Sequence, residues 1–399
     1  MNLKRQKKHD LTVYAHILNS ALGVEERNQN WAAFCKKWSA ETDLQLAETD
    51  DIQKADFIFL ATGGVEHLYT SHFLAGRAIP SAIYAPEGSN AFASMSEIRG
   101  FLKLRGLSAL CYDASALSLR EFAVIARSRR LLAQSHVVMW GETAPWLVAS
   151  TPDSAHLGAF ATRVSHQDWG VLNWQHHEMD SDVESVWAEM PSEGVCAQHL
   201  ENACRLSSAL KAWCMANDVD AVSVGCFPLL AQCVSACLAV SDLLDAGYPA
   251  ACENDLCSAM AMLVADILEL NTPPAWMANL VNVRGQQIWV QHCTIARSCL
   301  CSKKLMTHFE SNANVAVAGA LQTEMPVTVF RFDEGFKNAC IAEGTVVESG
   351  PNDEGCRTAA VIELSAPLSC VLGNHHIVLS GHHGRNLRAF CQMMGMKLV

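Results

Sequence analysis

The chain has 399 residues, of which 50% are hydrophobic and 18% are charged, and its formal net charge is −12. This length is too great for one compact core, so we expect two or three domains. The acidic balance argues against binding along a nucleic-acid backbone, because the sequence offers no basic face large enough to follow DNA.

The amino-terminal stretch MNLKRQKKHD is basic, but only the short apolar run LTVYAHI follows it. A secretory signal needs a longer apolar segment with a small-residue cleavage site, and a membrane helix needs about 20 apolar residues. We therefore expect a cytoplasmic protein without a membrane partner. The 17 cysteines are scattered and form no CxxC pair, so neither a disulfide framework nor a structural zinc site is expected.

The first part of the chain alternates short apolar strands with helices. ADFIFLATGG (55–64) predicts a buried strand that enters a Gly-Gly turn, and PSAIYAPEGSN (80–90) predicts another strand. In SMSEIRGFLKLRG, Ser94 and Glu97 predict a capping box, and the helix is expected to end near Gly106. This alternation is typical of a parallel sheet with helices on both faces.

A second unit of the same kind is predicted from residue 136. HVVMWGETAPWLVAS (136–150) begins with a strand, and LSSALKAWCMANDVDAVSVGCF predicts a helix, a turn and a strand. The helix in QCVSACLAVSDLLDAG, the strand YPAACEN and the helix LCSAMAMLVADILEL follow in that order. This unit should form a second parallel sheet.

After Pro273 and Pro274 the pattern changes to short alternating or β-branched runs, namely QQIWVQHCTI, VAVAGAL, PVTVFRF, CIAEGTVVES, TAAVIEL and HHIVLSG. These runs predict a small antiparallel barrel or sandwich, which the amphipathic helix NLRAFCQMMG closes. The predicted domains are residues 1–133, 134–275 and 276–399. The first two are doubly wound parallel-sheet α/β domains of the Rossmann or flavodoxin type, and the third is a β-rich, barrel-like domain with a terminal helix.

Two acidic residues lie at the carboxyl end of the predicted strand in YPAACEND. Ligands of open parallel sheets bind beyond the carboxyl ends of the strands, where Glu253 and Asp255 are expected. The pair could bind a hard cation and move protons, or Asp255 could simply cap the next helix. A glutamate at the end of a buried strand is costly unless it is paired, which favours a functional role for Glu253.

The segment HCTIARSCLCSKKLMTHFES contains His292 and His308, which are sixteen residues apart, with Glu310 close by. This spacing matches no zinc motif. The three side chains could form part of a site, or they could be polar residues that line strand ends.

The segment LGNHHIVLSGHHGR (372–385) contains four histidines. His382 and His383 follow Ser-Gly in a turn, so we expect them at the surface. His375 and His376 begin a predicted strand, where adjacent side chains point to opposite faces. Only one of them can therefore face a given site, unless the backbone bulges.

Several short motifs occur in one order along the chain: TGG (62–64), the run from Asn90 to Glu97, WLVAS (146–150), CFPLL…ACLAVSDLLDAG (226–247), ENDLCSAMAML, MANLVNV, HCT and GNHH. Together they resemble the L-fucose isomerase/L-arabinose isomerase superfamily, and in particular its shorter fucose-isomerase-like members. The resemblance extends over nearly the whole chain. Each motif is weak alone, and their shared order carries the resemblance.

The resemblance implies an enzyme that interconverts aldoses and ketoses with a divalent cation, usually Mn²⁺, held by a glutamate, an aspartate and a histidine. These positions fall on Glu253, Asn279 and His375, so an asparagine replaces the aspartate. An amide carbonyl can ligate a hard cation, but it cannot accept a proton at neutral pH. We therefore expect weaker metal binding and a different second proton carrier. The candidates for this carrier are Asp255, His292 and Glu310.

The sequence thus predicts a metal-dependent sugar isomerase-like enzyme that works through an enediolate, with Glu253 as a metal ligand and general base. Substrate contacts are expected from Glu310, Asn374, His376 and Trp146. Two alternatives stay open: the same fold with epimerase or aldol-type lyase chemistry, or a non-catalytic sugar-binding or regulatory protein, which Asn279 favours. The related enzymes are oligomers, so we expect a homotrimer or homohexamer that binds a small sugar or sugar derivative.

Overall fold

The structure is a computed structural model, which describes residues 11–21, 23–87, 90–152, 158 and 160–399. Its chain divides into two compact units. One contains the described residues up to Ala133 together with Arg385–Leu398, and the other contains Gln134–Gly384. Among the described residues, no helix combines the length and apolarity that crossing a membrane requires.

The first unit is built on a five-stranded parallel sheet. Its strands are β1 (Thr12–Leu18), β2 (Gln45–Glu48), β3 (Phe57–Leu60), β4 (Ala82–Tyr84) and β5 (Leu110–Cys111), in the order β2-β1-β3-β4-β5. Its helices are α1 (Val24–Glu41), α2 (Glu66–Leu74), α3 (Ala91–Lys103) and α4 (Leu119–Gln134). All four residues of β3 are buried, as the run FIFL predicts for a central parallel strand.

Helix α3 begins three residues before the predicted cap. Its N-cap is Asn90, which makes no side-chain capping bond, and Ser94 lies inside the first turn. The Ser94 hydroxyl accepts a hydrogen bond from the backbone N–H of Gly64 at 2.9 Å and donates one to Glu66 at 2.7 Å. The predicted capping box of Ser94 and Glu97 is therefore wrong, because this hydroxyl binds the turn after β3 instead.

The C-terminal helix Gly384–Met394 forms as the amphipathic pattern predicts. Its residue Gln392 accepts a hydrogen bond from the Ser108 hydroxyl at 2.5 Å and donates one to the carbonyl of Ala109 at 2.9 Å. A short strand, Lys397–Leu398, follows the helix. Residues Arg385–Leu398 belong to the same compact unit as β1–β5.

The second unit begins with a four-stranded parallel sheet. Its strands are β6 (His136–Trp140), β7 (Arg163–Gln167), β9 (Ala221–Val224) and β10 (Ala250–Cys252), in the order β10-β9-β6-β7. The helices are α5 (Trp169–Leu172), α6 (Ser181–Ala188), α7 (Ala197–Ala216), α8 (Phe227–Leu230), α9 (Cys237–Asp245) and α10 (Leu256–Ile267). The strand order reverses between β6 and β9, and doubly wound sheets bind ligands beyond the strand ends near such a point.

Six antiparallel strands close a barrel in the C-terminal region. They are β11 (Trp276–Arg284), β12 (Gln287–His292), β15 (Pro326–Phe332), β16 (Asn338–Pro351), β17 (Thr358–Leu364) and β18 (His375–Ser380). Their order is β15-β18-β11-β12-β17-β16, and β16 pairs back with β15. The strands β8 (Ser192–Glu193), β13 (Ser302–Met306) and β14 (Ala316–Ala320) form a separate small sheet.

The predicted fold class is therefore confirmed at the level of two parallel α/β sheets followed by a β-barrel region. The boundaries predicted after residues 133 and 275 stay predictions. In the second unit, α10 leads from the end of β10 toward β11, the first strand of the barrel. The parallel sheet and the barrel can therefore both contribute side chains to one site in this unit.

Candidate metal centre

Glu253 lies directly after β10 in a turn with unusual backbone angles. Glu253 and Asn254 have φ of 60° and 54°, in the left-handed region that non-glycine residues seldom adopt. The Asn254 amide donates hydrogen bonds to the carbonyls of Trp140 at 2.9 Å and Gly141 at 2.7 Å. The backbone N–H of Ala144 donates to the carbonyl of Glu253 at 3.0 Å. The end of β6 therefore holds this turn in place.

Three buried side chains meet beyond the turn. The Nε2 atoms of His292 and His375 lie 3.7 Å and 3.6 Å from Oε1 of Glu253. The three groups can offer ligand atoms that all lie within 4.8 Å of one another. Neither Nε2 atom has a hydrogen-bond partner in the described part of the chain, although both are buried. Buried nitrogen atoms normally have partners, so these residues fit a divalent metal ion.

Asp255 fixes the orientation of His375. Its Oδ2 lies 2.8 Å from Nδ1 of His375, so Nδ1–H donates to the carboxylate and Nε2 faces Glu253. Asp255 also accepts a hydrogen bond from the backbone N–H of Ser258 at 2.7 Å and is the N-cap of α10. The predicted cap is confirmed. The guanidinium of Arg331 lies 3.6 Å from the same carboxylate and compensates its buried charge.

In the metal-free protein, burial and neighbouring charges determine which side chains of the cluster are protonated. Burial acts to lower the pKa of His375, but the hydrogen bond to Asp255 and the nearby Glu253 carboxylate outweigh burial and raise it to about 9. Burial acts to raise the pKa of Glu253, yet the two histidines hold it well below its ordinary value. Burial also lowers the pKa of His292. At neutral pH, Glu253 is therefore ionised, His375 is protonated and His292 is neutral.

Two further side chains support the cluster. The hydroxyl of Thr294 lies 2.8 Å from Nδ1 of His292, and Nε1 of Trp146 donates to Oε2 of Glu253 at 2.7 Å. Trp146 is 50% exposed and packs edge-on against Phe227, with ring centroids 4.6 Å apart. Trp146, a predicted substrate contact, thus joins the Glu253 carboxylate to an exposed aromatic surface.

Asn279, the predicted third ligand, lies beside His375 and is engaged with other protein groups. The register pairs Asn279 with His375 across β11 and β18, so both side chains leave the same face. Its carbonyl oxygen accepts a hydrogen bond from Asn374, and its amide nitrogen lies 3.8 Å from Sγ of Cys356. Metal ligation by Asn279 and substrate binding by Asn374 stay predictions. His292, predicted as a proton carrier, is the third member of the buried cluster.

The other predicted residues lie outside the three-residue cluster. His376 is buried, with Nδ1 3.2 Å from the carbonyl of Asn374, and burial lowers its pKa to about 4. Glu310 is exposed, with its carboxylate 3.1 Å from Nδ1 of the buried His308. His382 is exposed, as predicted. The roles of His376 and Glu310 in substrate binding stay predictions.

Sequence reasoning did not identify Asn254, Arg331 or Thr294 as supporting residues. Asn254 follows Glu253 at a strand-to-helix turn, and asparagine is among the residues that enter the left-handed region most readily. Arg331 is a charge within the apolar strand PVTVFRF, and such a charge usually has a buried partner. The sequence therefore contained a signal for Asn254 and for Arg331. The Thr294 contact depends on the conformation after β12, which the sequence does not reveal.

A comparison with protein-family models and with curated protein sequences finds no match for this chain. The resemblance to the fucose isomerase superfamily therefore rests on the ordered motifs alone. What the centre can do follows from its own donor set, which contains one carboxylate and two imidazole groups.

Proposed function

We propose that the protein is a metal-dependent aldose–ketose isomerase-like enzyme that acts on a small sugar or sugar derivative. The observation that supports this function is the buried cluster of Glu253, His292 and His375. The cluster follows the carboxyl end of β10, where doubly wound sheets of the Rossmann or flavodoxin type bind ligands. The ordered motifs supply the reaction class.

The number of ligands favours catalysis over a structural role. Structural zinc sites are closed by four protein ligands, whereas catalytic sites keep a position for water or substrate. The cluster supplies three residues: Glu253, His292 and His375. A divalent cation held by them would polarise a substrate carbonyl and the neighbouring hydroxyl group.

Glu253 is the proposed base that removes the proton next to the substrate carbonyl and returns it to the adjacent carbon. It is ionised at neutral pH because both histidines lower its pKa. The Trp146 indole holds Oε2, so the carboxylate cannot rotate freely. A fixed base orientation matters because proton transfer needs hydrogen-bond reach to the substrate.

Of the three candidates for the second proton carrier, Glu310 is the one that we propose. Asp255 is fully buried and bonded to His375 and the α10 backbone, and His292 is a proposed ligand. Glu310 is exposed and next to His308, whose pKa is lowered by burial. An exposed carboxylate can exchange protons with a substrate hydroxyl and with water.

The test is a panel of aldoses and ketoses in heavy water, with protein that has been stripped of metal and reloaded. We expect interconversion of one aldose–ketose pair, with deuterium incorporated at the carbon that receives the proton. Glu253→Gln should lower turnover by at least about a thousandfold, because Gln keeps the size but loses the base. The exposed His382→Gln is the control and should retain activity.

Other outcomes identify the alternatives. Inversion at one carbon without a change of carbonyl position would show an epimerase, and carbon–carbon cleavage would show an aldol-type lyase. Sugar binding without deuterium exchange would show a binding protein. Retained turnover in the folded Glu253→Gln variant would disprove the assignment of the base.

A further inference from the structure

We infer that this centre is built for a nitrogen-preferring divalent cation, with zinc as its representative, rather than for manganese. The inference rests on the proposed metal centre but does not depend on the isomerase reaction. It starts from His292, which takes the third place in the cluster, whereas the motif resemblance assigns that place to an oxygen ligand at Asn279.

The donor set itself distinguishes the two classes of cation. Imidazole suits zinc, iron, nickel and copper, whereas carboxylate and carbonyl oxygen suit magnesium, calcium and manganese. Glu253, His292 and His375 supply two imidazoles and one carboxylate. A set of one imidazole and two carboxylates would carry one more negative charge. Exchanging a carboxylate for an imidazole therefore weakens the attraction for a hard cation more than that for zinc.

The spacing of the donors is compatible with one shared ion. Bonds of about 2.0–2.2 Å to one ion separate two donors by about 3.4 Å in a tetrahedron and about 3.0 Å in an octahedron. The two nitrogen-to-carboxylate distances are 3.7 Å for His292 and 3.6 Å for His375. Both distances are longer than the tetrahedral and the octahedral value, so the donors can close on one ion of either class after a small movement.

The surroundings of the cluster orient its nitrogen donors. The Asp255 carboxylate accepts a hydrogen bond from Nδ1–H of His375 at 2.8 Å, which leaves Nε2 of His375 to face Glu253. At His292 the backbone N–H of Thr294 donates to Nδ1 at 3.3 Å and the Thr294 hydroxyl lies 2.8 Å from the same atom, so Thr294 fixes the ring with Nε2 toward Glu253. A carboxylate behind a histidine is a common support for zinc-bound imidazole. The Asn279 carbonyl accepts a hydrogen bond from Asn374, which uses one of the two lone pairs of its oxygen.

The experiment compares zinc and manganese on metal-free protein by competition with a coloured chelator, and by calorimetry. Most nitrogen-containing sites bind zinc more tightly than manganese, so the preference of the wild-type protein alone is not decisive. The decisive quantity is the ratio of the two affinities in His292→Asp. We expect this ratio to fall by at least about tenfold, because the substitution removes an imidazole and adds a carboxylate. His382→Asp makes the same chemical change at an exposed position and should leave the ratio unchanged.

Cobalt(II) provides a second measurement on the wild-type protein, should His292→Asp fail to fold. Strong visible absorption, as four-coordinate cobalt shows, supports the inference, and the weak absorption of six-coordinate cobalt overturns it. An unchanged ratio of zinc affinity to manganese affinity in folded His292→Asp also overturns the inference, but it leaves the proposal of a metal centre intact. If neither cation binds at one ion per chain, the metal centre falls, and the proposed function falls with it.

Discussion

At the scale of single residues, Asn279 is the position where the chain departs most clearly from the proteins that it resembles. Its amide lies on the same face as His375 and adds no charge to the centre. Asn279→Asp would place a carboxylate opposite the protonated His375, which is one of the three proposed ligands. We expect manganese to bind about tenfold more tightly, because hard cations favour charged oxygen. Calorimetry with manganese measures this change.

His382→Asp is the matched control for Asn279→Asp, since it introduces a carboxylate at an exposed site. Unchanged or weaker manganese binding in Asn279→Asp would contradict the prediction.

The activity of Asn279→Asp distinguishes an inactive isomerase from an enzyme of altered chemistry. If the protein is an isomerase that has lost its activity, the carboxylate at position 279 should restore turnover. An enzyme in which Asn279 donates a hydrogen bond to substrate should lose turnover, since a carboxylate cannot donate.

His375 should couple cation binding to pH. Its pKa is about 9 without a cation, because the hydrogen bond to Asp255 and the nearby Glu253 carboxylate outweigh burial. A cation must displace the proton from Nε2, so its apparent affinity should rise about tenfold per pH unit from pH 7 to 9 and level off above. Calorimetry at pH 7 in buffers of different ionisation enthalpy should show release of about one proton. Affinity that stays constant over this range would contradict the prediction.

The same residue affects the stability of the metal-free protein. The folded-state pKa of His375 lies above its ordinary value of 6.5. Its contribution is therefore fully present below pH 6.5 and is lost as the pH rises through about 9. This direction is opposite to that of the buried carboxylate Asp255, whose pKa is lowered although burial acts to raise it.

The sequence identified Glu253, His292 and His375 as functional candidates, but it assigned His292 a different role. Glu253 and His375 stand out because each belongs to a motif at a strand end. The approach of His292 to Glu253 depends on how the end of β12 lies against the turn after β10. That contact is long-range and leaves no local pattern, so His292 could not be recognised as a ligand from spacing.

At the scale of elements, the turn after β10 should depend on the side chain of Asn254. Both Asn254→Gly and Asn254→Ala remove two hydrogen bonds to the end of β6, which should cost about 1–3 kcal/mol. Alanine must also adopt the φ of 54°, so it should be less stable than glycine by about 1 kcal/mol. Urea denaturation of the three proteins measures both differences.

The difference in stability between Asn254→Gly and Asn254→Ala does not include the two Asn254 hydrogen bonds, because both variants lack them. Equal stability of the two variants would show that the turn relaxes and that the left-handed backbone is not required. Both variants should also bind metal more weakly than the wild-type protein. The reason is that a looser turn no longer holds the Glu253 carboxylate opposite the histidines.

Most helices and strands could be predicted from apolar patterns in the sequence, and the elements that were missed have physical causes. Strands β3, β9 and β18 are largely buried, and their sequences FIFL, AVSV and HHIVLS are rich in apolar and β-branched residues. Strand β11 was not predicted, because its second half is exposed and contains asparagine and arginine. Pairing with β12 stabilises that half, and the hairpin partner matters more than local propensity.

At the scale of the whole molecule, alternation of strands and helices was sufficient to predict the fold class. Two parallel sheets and a barrel region follow from the change of pattern after Pro274. The grouping of Arg385–Leu398 with the first unit could not be predicted, because it depends on contacts such as those of Gln392 with Ser108 and Ala109. These contacts join residues more than 280 positions apart.

The last prediction concerns assembly. Trp146, which donates a hydrogen bond to Glu253, is 50% exposed, and Val148, two positions further along the chain, is 82% exposed. Large apolar side chains that are exposed beside a ligand site are often covered by a partner. We therefore predict a homotrimer or homohexamer, as the motif resemblance implies. Light scattering at micromolar concentration should give the mass of an oligomer, and Val148→Asp should lower that mass, since a buried unpaired charge opposes association. Val371→Asp, at another exposed valine, is the control and should leave the mass unchanged. A wild-type protein with the mass of one chain would contradict the prediction.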